Sequence, residues 1–410
     1  MKEVIVLQIN NCHYRRGGAD IAYLNTGKLL EDNGHKVLFF STDNKKNNPA
    51  DTSEYFVRGI DYFNRSLIAK IFSIFRFLYS FEAKKKITHL ITIYKPDIAH
   101  LHLYKGSITP SILPVLKNHK IPVIITVHDY GLMCPHNLML DGKMNICTRC
   151  VKGSAINCIL HKCNRNNLIL SSISALEFIF SSTFFPSRKY FNIILAVSKF
   201  GRDLHLDSGK FGNRIRHLYN FYPDLWNISA TTSHQNYFLY FGRLSKEKGI
   251  STLITAWLND KRQSRLKVVG TGELYEQLVS ENSTAENIDF MGFKSGPELT
   301  SLIKNCSFVI VPSEWYENNP LTIVEAYANG KPVIGADVGG ITELIEEGKT
   351  GFLFKMKSMT ELSEKIRIAE NTSVQRYSEL SVNARSFAES CFNPLTHFEK
   401  LMDVYTQILR

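Results

Sequence analysis

The run Ser313-Glu-Trp-Tyr-Glu-Asn-Asn-Pro-Leu-Thr-Ile-Val-Glu-Ala326 contains two glutamates eight residues apart, Glu317 and Glu325. Pro320 predicts the start of a helix, because proline is tolerated in the first helical turn. Glu325 then lies about a turn and a half inside that helix, and Glu317 lies in the loop before it. Each carboxylate can accept two hydroxyl hydrogens, as a ribose diol or a pyranose ring offers. Taken alone, the pair favours one helix-capping acid and one exposed acid. Together with the cations upstream and the glycine turn downstream, the run predicts a loop and helix that bind a sugar nucleotide.

Two cations stand upstream, in Phe-Gly-Arg-Leu-Ser-Lys-Glu-Lys-Gly-Ile at Phe241–Ile250. Arg243 follows a predicted strand directly, and ligands of open α/β sheets bind at the carboxyl ends of strands. The planar guanidinium of Arg243 and the mobile ammonium of Lys248 would form a suitable clamp for a diphosphate. Solvated surface charge is the usual alternative for such residues, so the clamp is predicted only in combination with the glutamates.

Short apolar runs alternate with helical patterns from one end of the chain to the other, which predicts parallel sheets with crossover helices. At 410 residues the chain is too long for one ordinary core, so two domains are expected. Strands are predicted near 3–9, 36–41, 97–102, 122–127, 193–197, 215–219, 237–241, 265–269, 288–291, 307–311 and 332–335. Helices include those near 19–33, 249–258, 273–281, 296–304, 319–329 and 340–346. The expected fold class is α/β, with two Rossmann-like domains.

The composition turns polar at 227–236, where we place the linker between the domains. Pro394 precedes a last helical pattern. The expected parts are an N-terminal domain at 1–226 with a cysteine-rich insert at about 134–163, a C-terminal domain at 236–390, and a helix at 394–410.

The charge is divided at nearly the same place. Residues 1–230 contain 30 Lys and Arg against 16 Asp and Glu, whereas 231–410 contain 19 against 22. The basic half could meet an anionic partner, such as a lipid surface or a phosphorylated acceptor, and ordinary charge for solubility is the alternative. No nucleic-acid motif is present, and no nucleic-acid partner is expected.

Three segments of the chain together resemble the donor-binding half of the retaining GT-B glycosyltransferases of family 4, the group 1 family. They are Phe241–Ile250, Ser313–Ala326 and Gly330–Glu343. Shorter motifs match the family spacing as well: Gly17-Gly18-Ala19-Asp20, Gly34-His35-Lys36-Val37, Gly270-Thr-Gly272 and Phe290-Met-Gly292-Phe293. The resemblance covers nearly the whole chain. It implies the GT-B fold, in which two Rossmann-like domains face each other across a cleft and the C-terminal helix crosses back to the N-terminal domain.

The resemblance also implies a role for each matching position. Arg243 and Lys248 would hold the donor diphosphate, Glu325 the ribose, and Glu317 the hydroxyls of the donor sugar. The other donor-site positions would be loop and backbone around the nucleotide and sugar: Gly17, Gly18, Gly292, Phe293, Asn318, Gly339, Gly340 and Glu343. Two segments depart from the family pattern. Asn220-Phe-Tyr-Pro223 stands where the family often has Asn-Gly-Val-Asp, and Asn318 replaces a usual glycine, which bears on donor choice.

His128 ends a predicted strand in Thr-Val-His-Asp-Tyr-Gly, at a carboxyl strand edge. A lone histidine is more often structural than catalytic. The family pattern favours contact with the donor sugar, with the imidazole positioning the sugar rather than acting as a strong base. Asp129 is the neighbouring candidate.

The function that the resemblance implies is transfer of a hexosyl or N-acetylhexosaminyl group from a nucleoside diphosphate sugar to an acceptor hydroxyl, with retention of configuration. Bacterial surface polysaccharide assembly, with a saccharide acceptor linked to a lipid pyrophosphate, is the expected setting, and no cofactor is required for catalysis. Two alternatives remain open, namely a sugar-nucleotide 2-epimerase of the same fold and a non-catalytic scaffold. A dinucleotide-dependent oxidoreductase is disfavoured because no Gly-x-Gly-x-x-Gly follows the first strand.

Five of the eight cysteines fall between residues 134 and 163. Cys147 and Cys150 have zinc-like spacing, and Cys158 and Cys163 would complete a four-sulfur site. A structural zinc ion is one expectation. The other is a set of reduced cysteines that pack a loop over the acceptor site, since a cytosolic location disfavours disulfides.

A cytoplasmic location with peripheral contact at the inner membrane face is expected. The N-terminal run Met-Lys-Glu-Val-Ile-Val-Leu-Gln reads as a first strand rather than a signal peptide. Apolar stretches at 67–81 and 168–185 fall short of the roughly 20 clean apolar residues of a spanning helix. The first stretch has the apolar spacing of one helical face, with basic residues after it. This pattern suits either an in-plane membrane helix or an amphipathic helix packed on its own sheet. The apolar positions are 68, 71, 72, 75, 78 and 79, and the basic residues are Lys84-Lys85-Lys86.

Overall fold

The computed structural model describes residues 3–60, 73, 75–225, 235–260 and 262–409. The chain divides into two compact units, one of Met1–Leu218 with Leu395–Arg410 and one of Tyr219–Pro394. The C-terminal helix thus groups with the first unit, as the expected fold requires. The division falls at residue 218 rather than at the predicted 226, and most of the predicted linker lies outside the described residues.

The first unit is built on a six-stranded, fully parallel sheet. Its strands are β1 (Ile5–Ile9), β2 (Lys36–Phe40), β5 (Ile98–Leu101), β6 (Val123–Val127), β7 (Ile193–Ala196) and β8 (Ile215–His217), with a separate two-residue pair of β3 (Thr42–Asp43) and β4 (Val57–Arg58). The order across the sheet is β2-β1-β5-β6-β7-β8. Every residue of β5, β6 and β7 is buried, which explains why these segments are mostly apolar and do not alternate between apolar and polar residues.

Helices cover the first sheet. They span Gly18–Asp32, Phe81–Tyr94, Leu113–Asn118, Arg149–Lys152, Ile156–Leu160, Leu168–Phe184, Ser187–Tyr190, Lys199–Asp207 and Pro394–Leu409, with single 3₁₀ turns at Ser53–Tyr55, Pro110–Ile112 and Gly212–Arg214. Side-chain caps mark several starts. Ser80, Asn167 and Ser198 each accept a hydrogen bond from a backbone N–H in the first turn, which satisfies amides that lack a partner within the helix.

The second unit repeats the architecture with a second six-stranded parallel sheet. Its strands are β9 (Tyr237–Phe241), β10 (Arg265–Val269), β11 (Ile288–Phe290), β12 (Val309–Val311), β13 (Val333–Asp337) and β14 (Gly351–Lys355), in the order β11-β10-β9-β12-β13-β14. Its helices span Ile250–Leu258, Tyr275–Glu281, Gly296–Asn305, Leu321–Ala328, Met359–Glu370 and Val374–Cys391, with 3₁₀ turns at Lys246–Lys248 and Gly339–Ile341. The α/β prediction with two Rossmann-like domains is confirmed.

One local prediction is wrong, and one strand was missed. The helix predicted near 340–346 is a single 3₁₀ turn at Gly339–Ile341. The backbone there lies against the loop that contains Glu317, and two adjacent glycines do not favour a longer helix. The strand β14 was not predicted from the sequence. It adds the outer edge of the second sheet beside β13.

Half of the predicted in-plane helix around 68–79, namely residues 68–72 and 74, lies outside the described residues. Of the helices that the described ranges contain, none combines the length and the apolar character needed to cross a bilayer.

Burial lowers the pKa of histidines throughout the first unit, so that their neutral forms are favoured in the folded state. They are His13, His35, His100, His102, His128, His205 and His217. His205 is fully buried, and its pKa falls from the ordinary 6.5 to about 4. Its Nδ1 lies 2.6 Å from the Gly201 carbonyl oxygen, while its ring lies beside those of Tyr130 and Phe211.

We expect the first unit to lose stability between about pH 6.5 and pH 4. In this window an unfolded histidine binds a proton and the folded one does not, so the unfolded state is favoured as the pH falls. For His205 the loss at about pH 5 is on the order of 2 kcal/mol. Thermal unfolding at about pH 7.5 and pH 5 measures the effect. The variant His205→Phe keeps the ring contacts and removes the titrating group, so it should show a smaller decrease in Tm. An equal decrease in both proteins would contradict this assignment.

Candidate functional site

The second sheet reverses its direction of winding between β9 and β12, its two central strands. The chain leaves β9 towards β10 and β11 on one side and enters β12 towards β13 and β14 on the other. Ligands of open α/β sheets bind outside the carboxyl ends of the strands at such a point. Arg243 and Lys248 follow β9, and Glu317 follows β12. The topology therefore brings these three predicted residues to one edge of one sheet.

Lys248 and Glu317 are in direct contact. The Lys248 Nζ lies 2.6 Å from Glu317 Oε1, and the Ser313 hydroxyl donates to the same oxygen at 2.8 Å. Only 7% of the Glu317 side chain is exposed, against 27% for Lys248. The Lys248 ammonium also lies 5.2 Å from the centre of the Trp315 ring, within cation–π range. Sequence reasoning missed Ser313 and Trp315, although both stand in the run that contains Glu317.

Arg243 lies at the carboxyl end of β9 with its side chain exposed. The Tyr240 hydroxyl donates to the Arg243 carbonyl oxygen at 2.7 Å. This bond connects the residues on both sides of Gly242 and holds the turn between them. The Arg243 side chain therefore starts from a fixed backbone position at the end of β9, five residues before Lys248.

The loop after β13 lies directly on the loop that contains Glu317. The Gly340 N–H donates to the Glu317 carbonyl oxygen at 2.6 Å. A Cβ added at Gly340 would lie 1.6 Å from the Asn318 carbonyl oxygen, and Gly339 has a φ of +59°. No side chain fits at position 340 unless the backbone moves. The predicted glycine pair is therefore required for close approach of two loops, and it contacts two other predicted residues, Glu317 and Asn318.

The other predicted residues of the second unit lie on several elements of that unit. Glu325 is half-buried in the helix Leu321–Ala328. Glu343 accepts a hydrogen bond from the Tyr219 hydroxyl at 2.8 Å. Gly292 follows β11 and accepts the Gly270 N–H at 2.8 Å, and Phe293 beside it is exposed.

The first departure from the family pattern contacts the residue that follows the second one, Asn319. The Asn220 N–H donates to Asn319 Oδ1 at 3.0 Å, and the Asn220 side chain donates to the Asn319 carbonyl oxygen at 3.4 Å. Asn318 and Asn319 are both buried. The altered loop after β8 and the altered residues after Glu317 therefore form one hydrogen-bonded arrangement rather than two separate changes.

His128 follows β6 in the first unit and belongs to a chain of polar side chains. Its Nε2 lies 2.8 Å from His102 Nδ1, and the His102 Nε2 lies 3.0 Å from Gln8 Oε1. The rings of His102 and His128 stack with their centres 5.1 Å apart. Gln8 is in β1, and His102 follows β5. Three neighbouring strands thus orient one imidazole, and sequence reasoning did not identify His102 or Gln8.

This chain of contacts links the tautomer of His128 to the orientation of the Gln8 amide. When the Gln8 side-chain oxygen faces His102, it accepts the His102 Nε2–H, and Nδ1 of His102 then accepts the Nε2–H of His128. Burial lowers the pKa of His128 to about 4, so the ring is neutral near pH 7. The neighbouring Asp129 accepts from the Gly131 N–H at 2.9 Å and from the Asn137 side chain at 3.1 Å. Asp129 therefore braces the loop that follows, at the start of the cysteine-rich insert.

Gly17 and Gly18 lie at the start of the helix Gly18–Asp32, with Gly17 at its N-cap. They follow β1, and β1 and β5 are the strands between which the first sheet reverses direction. The glycine pair is therefore at the ligand-binding edge of the first sheet, while the residues from Arg243 to Glu343 belong to the second unit.

The cysteine-rich insert contains buried free thiols. Cys150, Cys158 and Cys163 pack together against Ala175, and burial with nearby thiols raises the pKa of Cys150 to about 12. Within the described part of the chain, no group of three or more His, Cys, Asp or Glu side chains is arranged to hold a metal ion. As they stand, Cys147, Cys150, Cys158 and Cys163 do not form a ligand set. The structural zinc ion stays a prediction.

Two family models match the chain in succession. The model described as Glycosyltransferase Family 4 matches residues 16–223, and the model described as Glycosyl transferases group 1 matches residues 226–387. The first covers just over half of the 410 residues. The two matches correspond closely to the two units of the structure.

Known proteins with similar sequences include an uncharacterized 42.6 kDa protein in the cps region of Klebsiella pneumoniae, 25% identical over 83% of this chain and 87% of the relative. Alpha-D-kanosaminyltransferase of Streptomyces kanamyceticus is 28% identical over 36% of this chain and 42% of its own length.

Among solved structures, Anabaena Alr3699/HepE in complex with UDP-glucose matches with a TM-score of 0.69 and 18% identity. The match covers 99% of this chain and 100% of that chain. WaaG, a glycosyltransferase involved in lipopolysaccharide biosynthesis, matches with a TM-score of 0.65 and 15% identity over 98% and 99%. At these identities the solved structures support the GT-B fold alone.

We expect Gly340→Ala to disrupt the loop contact on which Glu317 depends. The added methyl would overlap the Asn318 carbonyl oxygen, so the loop must move and the Gly340–Glu317 hydrogen bond is lost. Unit stability should fall by roughly 1–3 kcal/mol, with weaker binding of nucleoside diphosphates. Thermal unfolding and isothermal titration with UDP, GDP and ADP measure both effects. Gly59→Ala, where an added Cβ meets no atom within 4 Å, is the matched control. Unchanged stability and binding in Gly340→Ala would contradict the expectation.

Proposed function

The chain belongs to glycosyltransferase family 4, and from this membership we propose that it transfers a hexosyl or N-acetylhexosaminyl group from a nucleoside diphosphate sugar to an acceptor hydroxyl, with retention of configuration. The observation that supports the proposal most directly is the contact of Lys248 with Glu317 beside Arg243, at the edge where the second sheet reverses direction. A cation pair and a buried carboxylate at that edge are suited to a ligand with a diphosphate on one side and sugar hydroxyls on the other.

In the proposed reaction the bond between the sugar C1 and the diphosphate oxygen breaks, and its electron pair stays with the diphosphate. Arg243 and Lys248 stabilise the negative charge that develops there. The acceptor oxygen forms the new bond to C1 on the face that the diphosphate leaves, and its proton passes to the departing phosphate. Glu317 holds the sugar hydroxyls and Glu325 the ribose. The side chains of this chain supply the positive charge, so we propose that catalysis requires no cofactor.

We assign His128 the role of positioning the donor sugar. The ring is neutral near pH 7 because burial lowers its pKa to about 4, which suits hydrogen bonding rather than strong base catalysis. His102 and Gln8 are positioning residues in turn, since they define the ring plane and the tautomer of His128.

The proposed setting is bacterial surface polysaccharide assembly, with a saccharide acceptor linked to a lipid pyrophosphate. A relative in a Klebsiella pneumoniae cps region and the fold shared with WaaG support this setting. Solved structures of the same fold contain UDP, UDP-glucose or ADP, so nucleoside diphosphate sugars are the first donors to test.

The test of the function is acceptor-dependent release of nucleoside diphosphate. Purified protein is incubated with UDP-, GDP- and ADP-sugars, with and without an extract of lipid-linked saccharides, and the released diphosphate is measured. Transfer predicts release only with acceptor. Release without any acceptor would favour a 2-epimerase, and no turnover with every donor, together with full activity in cells of an Arg243→Ala variant, would favour a scaffold.

We expect Lys248→Met to lower kcat/KM by roughly 10²–10³-fold, because one of the two charges that stabilise the leaving group is lost. The single variant also leaves a buried carboxylate without its cation, which lowers stability. The double variant Lys248→Met/Glu317→Gln should recover stability and not activity, so the two effects separate in a melting curve and a rate assay. Lys246→Met, an exposed lysine on the same turn, is the matched control. Full activity in the double variant would exclude both residues from the reaction.

We expect His102→Phe to lower kcat about tenfold with little change in the KM for the donor, because the ring still stacks but no longer fixes the His128 tautomer. His102→Asn places an amide oxygen near the former Nδ1 and should restore most of the rate. Steady-state kinetics of both variants, with melting temperatures, make the comparison. Equal loss of rate in both variants would indicate a purely structural role for His102.

A further inference from the structure

The helix Leu168–Phe184 of the first unit has an apolar side that is open to solvent. Ile169 is 71% exposed, Leu176 50% and Ile179 43%. The spacing of these positions puts them on one side of the helix, with the half-buried Ile173 and Phe180 between them. The opposite side is buried, at Ser171, Ala175, Phe178 and Ser181. We call the exposed side, at residues 169, 173, 176, 179 and 180, the apolar face.

The helix Leu168–Phe184 contributes no charged side chain to the apolar face. Glu177 is the one charged residue of this helix, and it is buried. Its carboxylate lies 3.3 Å from Lys105 Nζ and accepts a hydrogen bond from the Ser181 hydroxyl. A helix exposed to water on one side normally has charged or polar residues there. Over nearly five turns this helix presents Ile, Leu and Phe instead, together with Ser and Thr.

The exposed apolar surface continues beyond the helix through an aromatic cluster. The Phe180 ring centre lies 5.8 Å from that of Phe185, which lies 6.2 Å from that of Tyr79. Tyr79 in turn lies 4.8 Å from Phe81. Phe81 begins the helix Phe81–Tyr94 and is 77% exposed. Two helices therefore contribute to one surface.

Basic residues border this surface. Lys162 and Arg165 precede the helix, and Arg188 and Lys189 follow it, all exposed. Exposed Lys84 and Lys85 lie one turn after Phe81. Between residues 142 and 202 the sequence has nine Lys and Arg, and Glu177 is its single acid. The border is therefore positive. Glu177 is paired with Lys105 inside the unit, and Glu82, next to Phe81, is paired with Arg76 and Lys86.

We propose that the apolar face and its basic border bind the surface of an anionic phospholipid bilayer, with the helix Leu168–Phe184 in the plane of the membrane. The proposal deepens the proposed function, because it names the surface through which a lipid-linked acceptor is reached. Apolar side chains enter the boundary between headgroups and acyl chains, and Lys and Arg meet the lipid phosphates. The helix has 17 residues and is about 25 Å long, which suits in-plane binding.

A second copy of the chain fits this surface less well. An isologous interface would place the same patch of each copy opposite the other. The basic residues at the border would then face each other, and Glu82, the acid beside Phe81, is already paired with Arg76 and Lys86. An anionic lipid surface supplies the complementary charge that a second copy lacks.

The experiment is cosedimentation of the full-length protein with phosphatidylcholine vesicles, with and without about one third phosphatidylglycerol. One variant is Ile169→Gln/Leu176→Gln/Ile179→Gln, which removes the apolar face. Another is Arg188→Gln/Lys189→Gln, which removes part of the basic border. The matched control is Val374→Gln/Val382→Gln, which changes exposed apolar positions of the second unit. Because every changed side chain is exposed, melting temperatures should stay close to that of the wild type.

We expect the wild type to bind anionic vesicles, with binding that weakens as salt increases. The triple variant should partition to the vesicles at least tenfold less and the double basic variant severalfold less, with the control unchanged. Turnover of a detergent-soluble acceptor should be unaffected, so loss of membrane binding remains distinguishable from failure of the proposed function. Equal vesicle binding by the triple variant and the wild type would overturn the proposal. So would absence of vesicle binding by the wild type, or a wild-type dimer that the triple variant converts to monomers without a change in vesicle binding.

Discussion

The contact between the loop after β13 and the loop after β12 determines the arrangement of the candidate site. Gly340 approaches the Glu317–Asn318 peptide so closely that no Cβ fits, and its N–H holds the Glu317 carbonyl oxygen. From the other direction, Lys248 and Ser313 hold the Glu317 carboxylate. Glu317 is thus fixed through both its backbone and its side chain. The position of the cation, the carboxylate and the glycine loop relative to one another follows from this one residue.

Stability alone does not explain the Lys248–Glu317 pair. Removing a carboxylate and an ammonium from water costs several kcal/mol per ion, and an apolar pair of similar volume is often as stable or more so. The pair is largely buried and receives a further hydrogen bond from Ser313. These contacts offset the free energy needed to remove the two ions from water, without a large net gain in stability. A polar ligand that uses the ammonium and the carboxylate supplies a reason for such a pair at the edge where β9 and β12 end.

Much of the fold could be predicted because parallel strands buried on both faces leave unbroken apolar runs, as at β7 and β9. The short turn at Gly339–Ile341 was mistaken for a helix because loop-to-loop contact, which the local sequence does not display, decides its backbone. Arg243, Lys248 and Glu317 could be named from motifs, and the topology brings them to one edge. His102 and Gln8 could not, since each is an ordinary residue of its own strand and acquires a role only from the neighbouring strand. Contacts between segments far apart in sequence therefore limited the prediction.

In the first unit, the candidate sugar contact and the proposed membrane surface belong to one continuous stretch of chain. Asp129 braces the loop directly after His128, and the cysteine-rich insert follows. At its far end the Asn164 backbone and side chain donate to Ser171 and Ser174, and Cys158 and Cys163 pack against Ala175. These residues are on the buried or half-buried side of the helix that has the apolar face outside. The insert therefore joins His128 to the helix through packed thiols and hydrogen bonds rather than through a free linker. Binding of that helix to a bilayer would hold the insert, and with it the expected acceptor region, at a defined depth relative to the lipid surface.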